Sequence, residues 1–254
     1  MRTLARFIEA TGGDPATYQA PGNSLFVPPT FFAAWALPEF ARALAAAKLP
    51  FNFARALHAA SSVQVHRLFT CDEPLGFTAN VEAVQRTGHR IRIDQKLELV
   101  AMRGQPVLTA TLSLVLPARR RSGSRPAEMA PASASQLDEL DLGRTEGWKY
   151  ARISGDFNPV HWSLAAARLS GLPGPIAHGF DVMTRISHVA VEKIAGKLSR
   201  LRVLEVSFRK PIALPAHLSL LTAPADGETG HIPLWVATGP GAVTHLTGHV
   251  ELVP

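Results

Sequence analysis

Two short stretches in the second half of the chain carry residues that could perform acid–base chemistry. The run 150–161 (YARISGDFNPVH) places the carboxylate of Asp156 five residues before the imidazole of His161. A carboxylate and an imidazole that hold the same water molecule can take one proton from it and supply another. The segment 176–180 (IAHGF) adds a His-Gly step where a helix is expected to begin. A helix N-terminus can stabilise an oxyanion, so the two stretches predict an acid–base pair beside an oxyanion site.

The elements around these residues must bend the chain and bring the two stretches together. Gly155, Asn158 and Pro159 are residue types that form tight turns, and they lie where the chain has to fold back. An apolar helix is predicted at 176–197, and a similar one at 30–48 in the first half. Both are apolar around much of their circumference, which is typical of a helix that a sheet wraps.

Each predicted helix is followed by four strand-like runs with alternating apolar residues. These runs lie at 62–70, 76–86, 90–102 and 106–116, and at 201–209, 216–223, 231–238 and 242–252. A helix followed by a four-stranded antiparallel meander, occurring twice, predicts a duplicated α+β unit. We expect a first repeat at 1–116, a linker at 117–135 and a second repeat at 136–254.

The composition favours a folded chain with a sizeable core. Of the 254 residues, 46% are hydrophobic and 18% charged, which argues against global disorder. No apolar run approaches the roughly 20 residues that a membrane-spanning helix needs. Residues 1–14 lack the apolar stretch of a signal peptide. The single cysteine, Cys71, cannot form an internal disulfide, so we expect a cytoplasmic protein with no membrane partner.

The formal net charge of +6 favours anionic partners, either nucleic acid or a phosphate-bearing small molecule. Part of the excess lies in the run of three arginines at 119–121, within a segment rich in Pro, Ser and Ala that is typical of a solvated linker. No zinc-finger spacing, RNA-binding aromatic signature or basic helix with interleaved aromatic residues occurs. We therefore expect no nucleic-acid partner.

The second half resembles the MaoC-like dehydratases, which include the (R)-specific enoyl-CoA hydratases, also called hydratase 2. The family pattern is a Tyr, then Ser-Gly-Asp-x-Asn-Pro-x-His, then a Gly turn and x-His-Gly. The resemblance covers 145–215 well and implies a double hot-dog fold, in which a sheet wraps a long helix in each repeat. The residues that fit the pattern are Tyr150, Ser154, Gly155, Asp156, Asn158, Pro159, His161, Gly171, His178 and Gly179.

The resemblance implies (R)-specific hydration of trans-2-enoyl-CoA to (R)-3-hydroxyacyl-CoA, or the reverse dehydration. Asp156 and His161 would add water to one face of the double bond, and the N–H of Gly179 would hold the thioester oxygen. No cofactor is expected beyond the CoA thioester, which is the substrate. The residues expected to support the catalytic pair are Asn158, His178 and Ser187.

The first half carries a degenerate copy of the motif. The segment 11–15 (TGGDP) resembles Ser-Gly-Asp-x-Asn-Pro, but no histidine follows it. The segment 27–31 (VPPTF) occupies the place of 176–180 and lacks the His-Gly step. We therefore predict that the first repeat is non-catalytic and shapes the acyl pocket.

Basic residues near the site could bind the phosphates of CoA. Arg209 and Lys210 follow a predicted strand, and they are either CoA contacts or solvated charges at a strand end. Arg185 is either a phosphate contact or an exposed helix residue.

The remaining histidines show no spacing that indicates a metal site, so none is expected. His245 and His249 lie in an apparent strand, where residues four apart are separated by about 13 Å. The histidines in this group are His58, His66, His89, His217, His231, His245 and His249.

Three alternative functions remain open. The substrate could be a thioester of acyl-carrier protein instead of CoA. The chain could be a non-catalytic acyl-thioester-binding subunit, although the intact Asp156 and His161 argue against this. It could also be a hot-dog thioesterase, because a fold does not determine a function. A homodimer of double hot-dogs is possible.

Overall fold

A computed structural model describes residues 2–51, 53, 56–87, 90–117 and 127–253. The arginine run at 119–121, most of the predicted linker and His89 lie outside the described residues. In the part of the chain that the structure describes, no helix is long and apolar enough to cross a membrane.

Within the residues that the structure describes, five α-helices and eleven strands alternate with short 3-10 segments. The α-helices are α1 (Arg2–Ala10), α2 (Leu37–Ala46), α3 (Glu146–Ser154), α4 (Leu164–Leu169) and α5 (Gly179–Val189). The strands of the first half are β1 (Gln19–Ala20), β2 (Ser24–Leu25), β3 (Leu57–Val65), β4 (Leu75–Thr87), β5 (Arg90–Ala101) and β6 (Pro106–Pro117). Those of the second half are β7 (Ser135–Leu142), β8 (Leu201–Phe208), β9 (Ala216–Thr222), β10 (Ile232–Ala237) and β11 (Leu246–Leu252).

Nine of the strands form one antiparallel sheet that runs through both halves of the chain. Its order is β4-β5-β6-β3-β8-β11-β10-β9-β7, while β1 and β2 form a separate pair. The halves join where β3 lies against β8, with Ser62 opposite Glu205 and Gln64 opposite Val203. In each half the last three strands form a meander, but the first strand, β3 or β8, pairs with the last strand and not with the next one, so the predicted four-stranded meander is wrong in strand order. The two halves share hydrogen bonds between β3 and β8.

The strand predictions are confirmed except at two places. The run predicted at 62–70 lies at Leu57–Val65, because pairing with β8 brings the small residues before Ser62 into the sheet. Strand β7 was not predicted, so the second half has five strands. Its sequence (SQLDELDL) carries four polar residues before Leu140, because only one face of this edge strand is buried.

The prediction of one continuous helix at 30–48 is wrong, because this segment forms two helices. Residues 30–48 form a 3-10 helix (Pro29–Ala34) followed by α2, and the break lies at Trp35, whose φ is −139°. Pro38 favours a new helix start at this point, because proline has no N–H and fits the first turn of a helix.

The second predicted helix begins three residues later than expected. Ile176 is extended and pairs with Ala213, so α5 starts at Gly179. The helix continues as a π-helical segment (Ala190–Ala195) and ends at Gly196, whose φ is +72°.

Helix α5 is buried along most of its length between the sheet and the first half of the chain. One apolar cluster extends over both halves and contains residues of α1, α2, α5 and most strands. Phe180 of α5 packs edge-on against Phe32 of the first half, with ring centroids 5.5 Å apart. The buried residues of α5 are Phe180, Asp181, Val182, Met183, Thr184, Ile186, Ser187 and His188.

The predicted linker is partly ordered structure. Pro117 ends β6 and Ser135 begins β7. Between them, Ala130 is buried and its N–H donates to the Ala242 carbonyl at 2.8 Å. The Thr244 N–H donates to the carbonyl of Glu128 at 2.9 Å. Residues 127–134 therefore pack against the β10–β11 connection. The division into a catalytic and a non-catalytic repeat stays a prediction.

A side chain from α5 occupies the degenerate motif of the first half. His188 Nε2 lies 2.9 Å from Thr11 Oγ1, whose own hydrogen is donated to the Phe7 carbonyl. The Nε2–H of His188 therefore donates to Thr11, and Nδ1 accepts from the Tyr18 hydroxyl at 2.6 Å. Burial, with a further contribution from the charge of Arg185, lowers the pKa of His188 to about 4. His188 is thus held as a neutral, fully hydrogen-bonded bridge between the halves.

Replacing His188 should make stability less dependent on pH. The unfolded chain binds a proton near pH 6.5 and folded His188 binds one only near pH 4, so this group destabilises the fold as pH falls between those values. From pH 7 to pH 5, we expect wild type to lose roughly 2 kcal/mol more unfolding free energy than His188→Gln. Urea denaturation at the two pH values measures the difference, and parallel losses in both proteins would contradict it.

Candidate active site

Side-chain hydrogen bonds bend the loop between α3 and the 3-10 helix at Pro159–His161. Gly155 follows α3 with a φ of +75°, and the Ser154 hydroxyl accepts the Asp156 N–H at 3.2 Å. Asp156 Oδ1 in turn accepts the Asn158 N–H at 3.2 Å, and Asn158 caps the 3-10 helix through Val160 N–H. These local bonds are typical of Asx turns, and they turn the chain back so that His161 approaches Asp156.

Asp156, His161 and His178 form one cluster. A carboxylate oxygen of Asp156 and one ring nitrogen from each histidine lie within 4.8 Å of one another. The two imidazoles are stacked, with centroids 3.7 Å apart and an interplanar angle of 23°. His178 is buried, while Asp156 and His161 are partly exposed. The two stretches singled out in the sequence therefore meet, and the pair that could act on a substrate is accessible.

Backbone carbonyls determine which nitrogen of each imidazole carries the proton. His161 Nδ1 lies 2.9 Å from the Ile176 carbonyl, which can only accept, so Nδ1 donates and Nε2 keeps a lone pair. His178 Nε2 lies 3.1 Å from the backbone carbonyl of Asp156 and must donate there. Neutral His161 thus offers a proton acceptor, whereas His178 holds the backbone of the loop that carries Asp156.

Burial keeps both imidazoles in the neutral form. The pKa of His161 is lowered by burial, although the Ile176 carbonyl and the Asp156 charge oppose the shift. The pKa of His178 falls to about 4 through burial and the adjacent His161. At neutral pH, His161 is therefore a base with a free lone pair.

Tyr150 extends the stack behind the cluster. Its ring lies 4.9 Å from that of His178, and its hydroxyl is buried without a partner among the described residues. The pKa of Tyr150 is raised by burial and by the negative charges of Asp181 and Asp156. The rings of Tyr150, His178 and His161 stack one behind another beside the loop that carries Asp156.

A buried ion-pair network connects α3 to α5 beneath the cluster. Arg185 Nε lies 2.9 Å from Asp181 Oδ1, and an Arg185 terminal nitrogen lies 2.7 Å from Glu146 Oε1. Burial raises the pKa of Asp181 to about 6, with Arg185 opposing the rise. Arg185 pairs with two carboxylates and its side chain is only 15% exposed, so the alternative of an exposed helix residue is wrong, while a phosphate contact stays a prediction.

Gly179 is the first residue of α5. Because it has no side chain, two rings from strands of the sheet can pack against it, and the sequence did not predict this contact. A Cβ at this position would lie 2.8 Å from His58 Nδ1 and 2.9 Å from Phe208 Cζ. His58 comes from β3 of the first half and packs between Phe180 and Phe208, with centroids 4.6 Å from each. Burial lowers the pKa of His58 to about 3, so it is neutral. The glycine therefore leaves space for the rings of His58 and Phe208. Its N–H lies in the first turn of α5, where backbone N–H groups have no acceptor within the helix.

Three further residues were predicted to support the site or to bind CoA, namely Ser187, Arg209 and Lys210. Ser187 is fully buried and its Oγ has no hydrogen-bond partner among the described residues, so the predicted contact with Asp156 is wrong. Arg209 pairs with Glu128 at 2.9 Å, which partly neutralises its charge. Lys210 is exposed, as expected for a residue at a strand end.

The surface beside the loop is aromatic. Trp148, Phe157 and Trp162 are each 42–51% exposed, and Trp148 stacks edge-on against both other rings. Two open depressions of about 400 Å³ elsewhere on the surface include no residue of the Asp156 cluster. The chemistry-bearing residues therefore lie beside an exposed aromatic face and outside these depressions.

The architecture defines the structural class of the protein. HtdX of Mycobacterium tuberculosis is similar to it with a TM-score of 0.75 at 21% identity, covering 99% of this chain and 95% of that chain. A second M. tuberculosis protein, described as having a double hotdog fold, is similar with a TM-score of 0.57 at 12% identity over 99% and 92% of the two chains. The predicted α+β double hot-dog is confirmed.

The family follows from sequence matches over the same region. Residues 126–230 match the family model described as MaoC like domain, and this range contains Asp156 and His161. The 3-hydroxyacyl-thioester dehydratase X of M. tuberculosis (strain ATCC 25618 / H37Rv) is 24% identical over 205 residues, which cover 79% of this chain and 71% of that protein. Residues 126–230 therefore match a MaoC-like domain, as the motif predicted.

Gly147 on α3 is a sensitive position for testing this geometry. A Cβ on Gly147 would lie 1.8 Å from the His161 carbonyl oxygen, so Gly147→Ala must displace the backbone that carries His161. We expect a destabilisation of about 1–3 kcal/mol from this overpacking, measured by chemical denaturation. Gly227→Ala, with no atom within 4 Å of its Cβ, is the matched control and should be nearly neutral. Equal effects of both substitutions would show that the close approach is absent.

Proposed function

We propose that this protein adds water to trans-2-enoyl-CoA to give (R)-3-hydroxyacyl-CoA and catalyses the reverse dehydration. The observation that carries the proposal is the clustering of the Asp156 carboxylate with the His161 imidazole, whose Nε2 keeps a lone pair, at the N-terminal end of α5. The dehydratase name of the M. tuberculosis relative supports the same class of acyl-thioester chemistry.

In this mechanism, Asp156 and His161 hold one water molecule against the double bond. His161 Nε2 takes a proton from the water as its oxygen bonds to C3, while the π electrons move toward the thioester carbonyl. The resulting imidazolium then returns the proton to C2 on the same face, which gives syn addition. Asp156 accepts the other O–H of the water and stabilises the imidazolium, so each atom of water ends in the product.

The developing negative charge lies on the thioester oxygen. The N–H of Gly179, in the first turn of α5, is suited to stabilise this oxygen, because early helix N–H groups lack intrahelical acceptors and the helix dipole favours an anion there. His58 and Phe208 pack against Gly179 where a Cβ would otherwise lie. Lys210 is the candidate contact for CoA phosphate, because Arg209 is paired with Glu128.

Removing either member of the pair should abolish hydration without unfolding the protein. We expect Asp156→Asn and His161→Gln each to lower kcat by about 10²–10⁴, because each substitution removes a group that handles protons. Loss of the conjugated-thioester absorbance of crotonyl-CoA and longer enoyl-CoA substrates measures the rate, and chiral analysis of the product tests its (R) configuration.

The degenerate motif supplies a matched control for that experiment. Asp14→Asn makes the same substitution in the first half, where Asp14 caps a 3-10 helix, and asparagine caps equally well. Its hydration rate should equal that of wild type. Release of free CoA without change at C2–C3 would identify a thioesterase instead, and a faster reaction with carrier-protein thioesters would change the substrate assignment. If no enoyl thioester reacts, the hydratase proposal fails.

The lowered pKa of His161 predicts the pH dependence of hydration. Because the reaction needs neutral His161 and burial lowers its pKa below 6.5, kcat/KM should stay constant as pH falls through 6.5 and decline only at lower pH. A pH–rate profile, limited to the range in which circular dichroism shows the folded protein, measures this limb. A decline centred at or above pH 6.5 would contradict the assignment of His161 as the base.

A further inference from the structure

Two histidines and a glutamate meet on the sheet face opposite the buried core. His249 and Glu251 are two residues apart on β11, so their side chains share one face. Ile232 pairs with Val250 across the β10–β11 ladder, which places His231 opposite Glu251. The spacing along the chain does not reveal this cluster, because its members come from two strands.

The distances within the cluster match those of a metal site. His231 Nε2 lies 3.1 Å and His249 Nε2 lies 3.5 Å from the same oxygen, Glu251 Oε1. All three potential ligand atoms lie within 4.8 Å of one another. In tetrahedral zinc sites with metal–ligand bonds of about 2.0–2.2 Å, neighbouring ligand atoms are roughly 3.4 Å apart. Side-chain rotation alone could therefore place all three around one ion.

An imidazole binds a metal that lies in the plane of its ring, so His231 and His249 can share one ion only after at least one ring rotates out of its stacked position. Their rings are 4.1 Å apart with an interplanar angle of 5°. Neutral imidazoles offer two nitrogen lone pairs beside a carboxylate oxygen, a donor set that suits zinc and related divalent ions.

The backbone around the cluster is held in place independently of its side chains. The Asp226 N–H donates to the His231 carbonyl at 2.8 Å, and Asp226 Oδ1 accepts from the N–H groups of Glu228 and Thr229. His249 lies in a ladder with strands on both sides. The ligands are thus presented by pre-formed structure, which reduces the entropy lost when a metal binds.

We propose that His231, His249 and Glu251 bind one divalent transition-metal ion of the zinc class, with a remaining position open to water. Their side chains are 37%, 20% and 36% exposed, so an ion can reach them from solvent. The site shares no residue with the Asp156 cluster, and the bound ion would stabilise the fold by connecting β10 to β11.

Titration of untagged, chelator-treated protein with ZnCl₂ by calorimetry tests the proposal. We expect one saturable site whose affinity falls by about tenfold or more in His231→Gln and in His249→Gln, because each variant lacks one ligand. The matched control is His217→Gln, which removes a histidine from the separate exposed cluster with Glu139 and Asp141 and should bind like wild type. Zinc should also raise the Tm of wild type and control but not of the two ligand variants.

Acidification separates metal binding from an ion pair. Lowering the pH from 7.5 to 5.5 should weaken zinc binding about tenfold or more, because protonated imidazoles cannot ligate. Absence of saturable binding, binding unchanged in both ligand variants, or binding lost in His217→Gln would each overturn the proposal. The metal-free Tm of every variant, compared with that of wild type, shows whether a lost site reflects lost ligands or lost folding, and only the former supports it.

Discussion

The antiparallel pairing of β3 with β8 is the constraint on which the rest of the structure depends. It joins two meanders into one nine-stranded sheet, so α5 is covered by strands on one side and by the first half of the chain on the other. The same pairing carries His58 to the start of α5, where its ring fills the space beside Gly179. A site whose proposed catalytic residues all belong to the second half is thus completed by a residue of the first.

Burial gives the candidate site its chemical character. A charge or lone pair removed from water is costly unless it finds a partner, and several buried polar groups near α5 have one, although the Tyr150 hydroxyl and Ser187 Oγ have none among the described residues. The carbonyls of Ile176 and Asp156 fix the proton positions on His161 and His178. Arg185 holds Asp181 and Glu146 together, although taking these charges out of water is costly. The proposed base is therefore neutral and oriented before a substrate arrives.

Short sequence motifs and the alternation of apolar residues predicted most strands and the loop that carries Asp156 and His161. They could not predict contacts between segments that are far apart in the sequence. Turn-forming residues and a specific motif identified Asp156, Asn158 and His161, and alternation identified most strands. The role of His58 was missed because only the β3–β8 register brings it to Gly179. The role of Gly147 was missed because it depends on a close contact with the backbone of His161, which is distant in sequence. The expected support of Asp156 by Ser187 came from the family resemblance and from counting residues after His178, and such a count does not determine which neighbours a buried hydroxyl meets. The pairing of His231 with His249 likewise depends on strand register.

The two ends of α5 explain why the halves differ. At its N-terminus, the rings of His58 and Phe208 pack against Gly179, whereas near its C-terminus His188 enters the degenerate motif and bonds to Thr11 and Tyr18. A Cβ on Gly13 would lie 2.8 Å from the His188 ring, so the turn at residues 11–15 packs tightly against this imidazole. In the place of a second long helix, the first half has the broken segment 29–46, whose Phe32 packs on Phe180. The proposed lack of catalysis in the first half is therefore coupled to the packing of α5. An open site at residues 11–15 would remove the hydrogen bonds of His188 with Thr11 and Tyr18, which hold the C-terminal end of this helix.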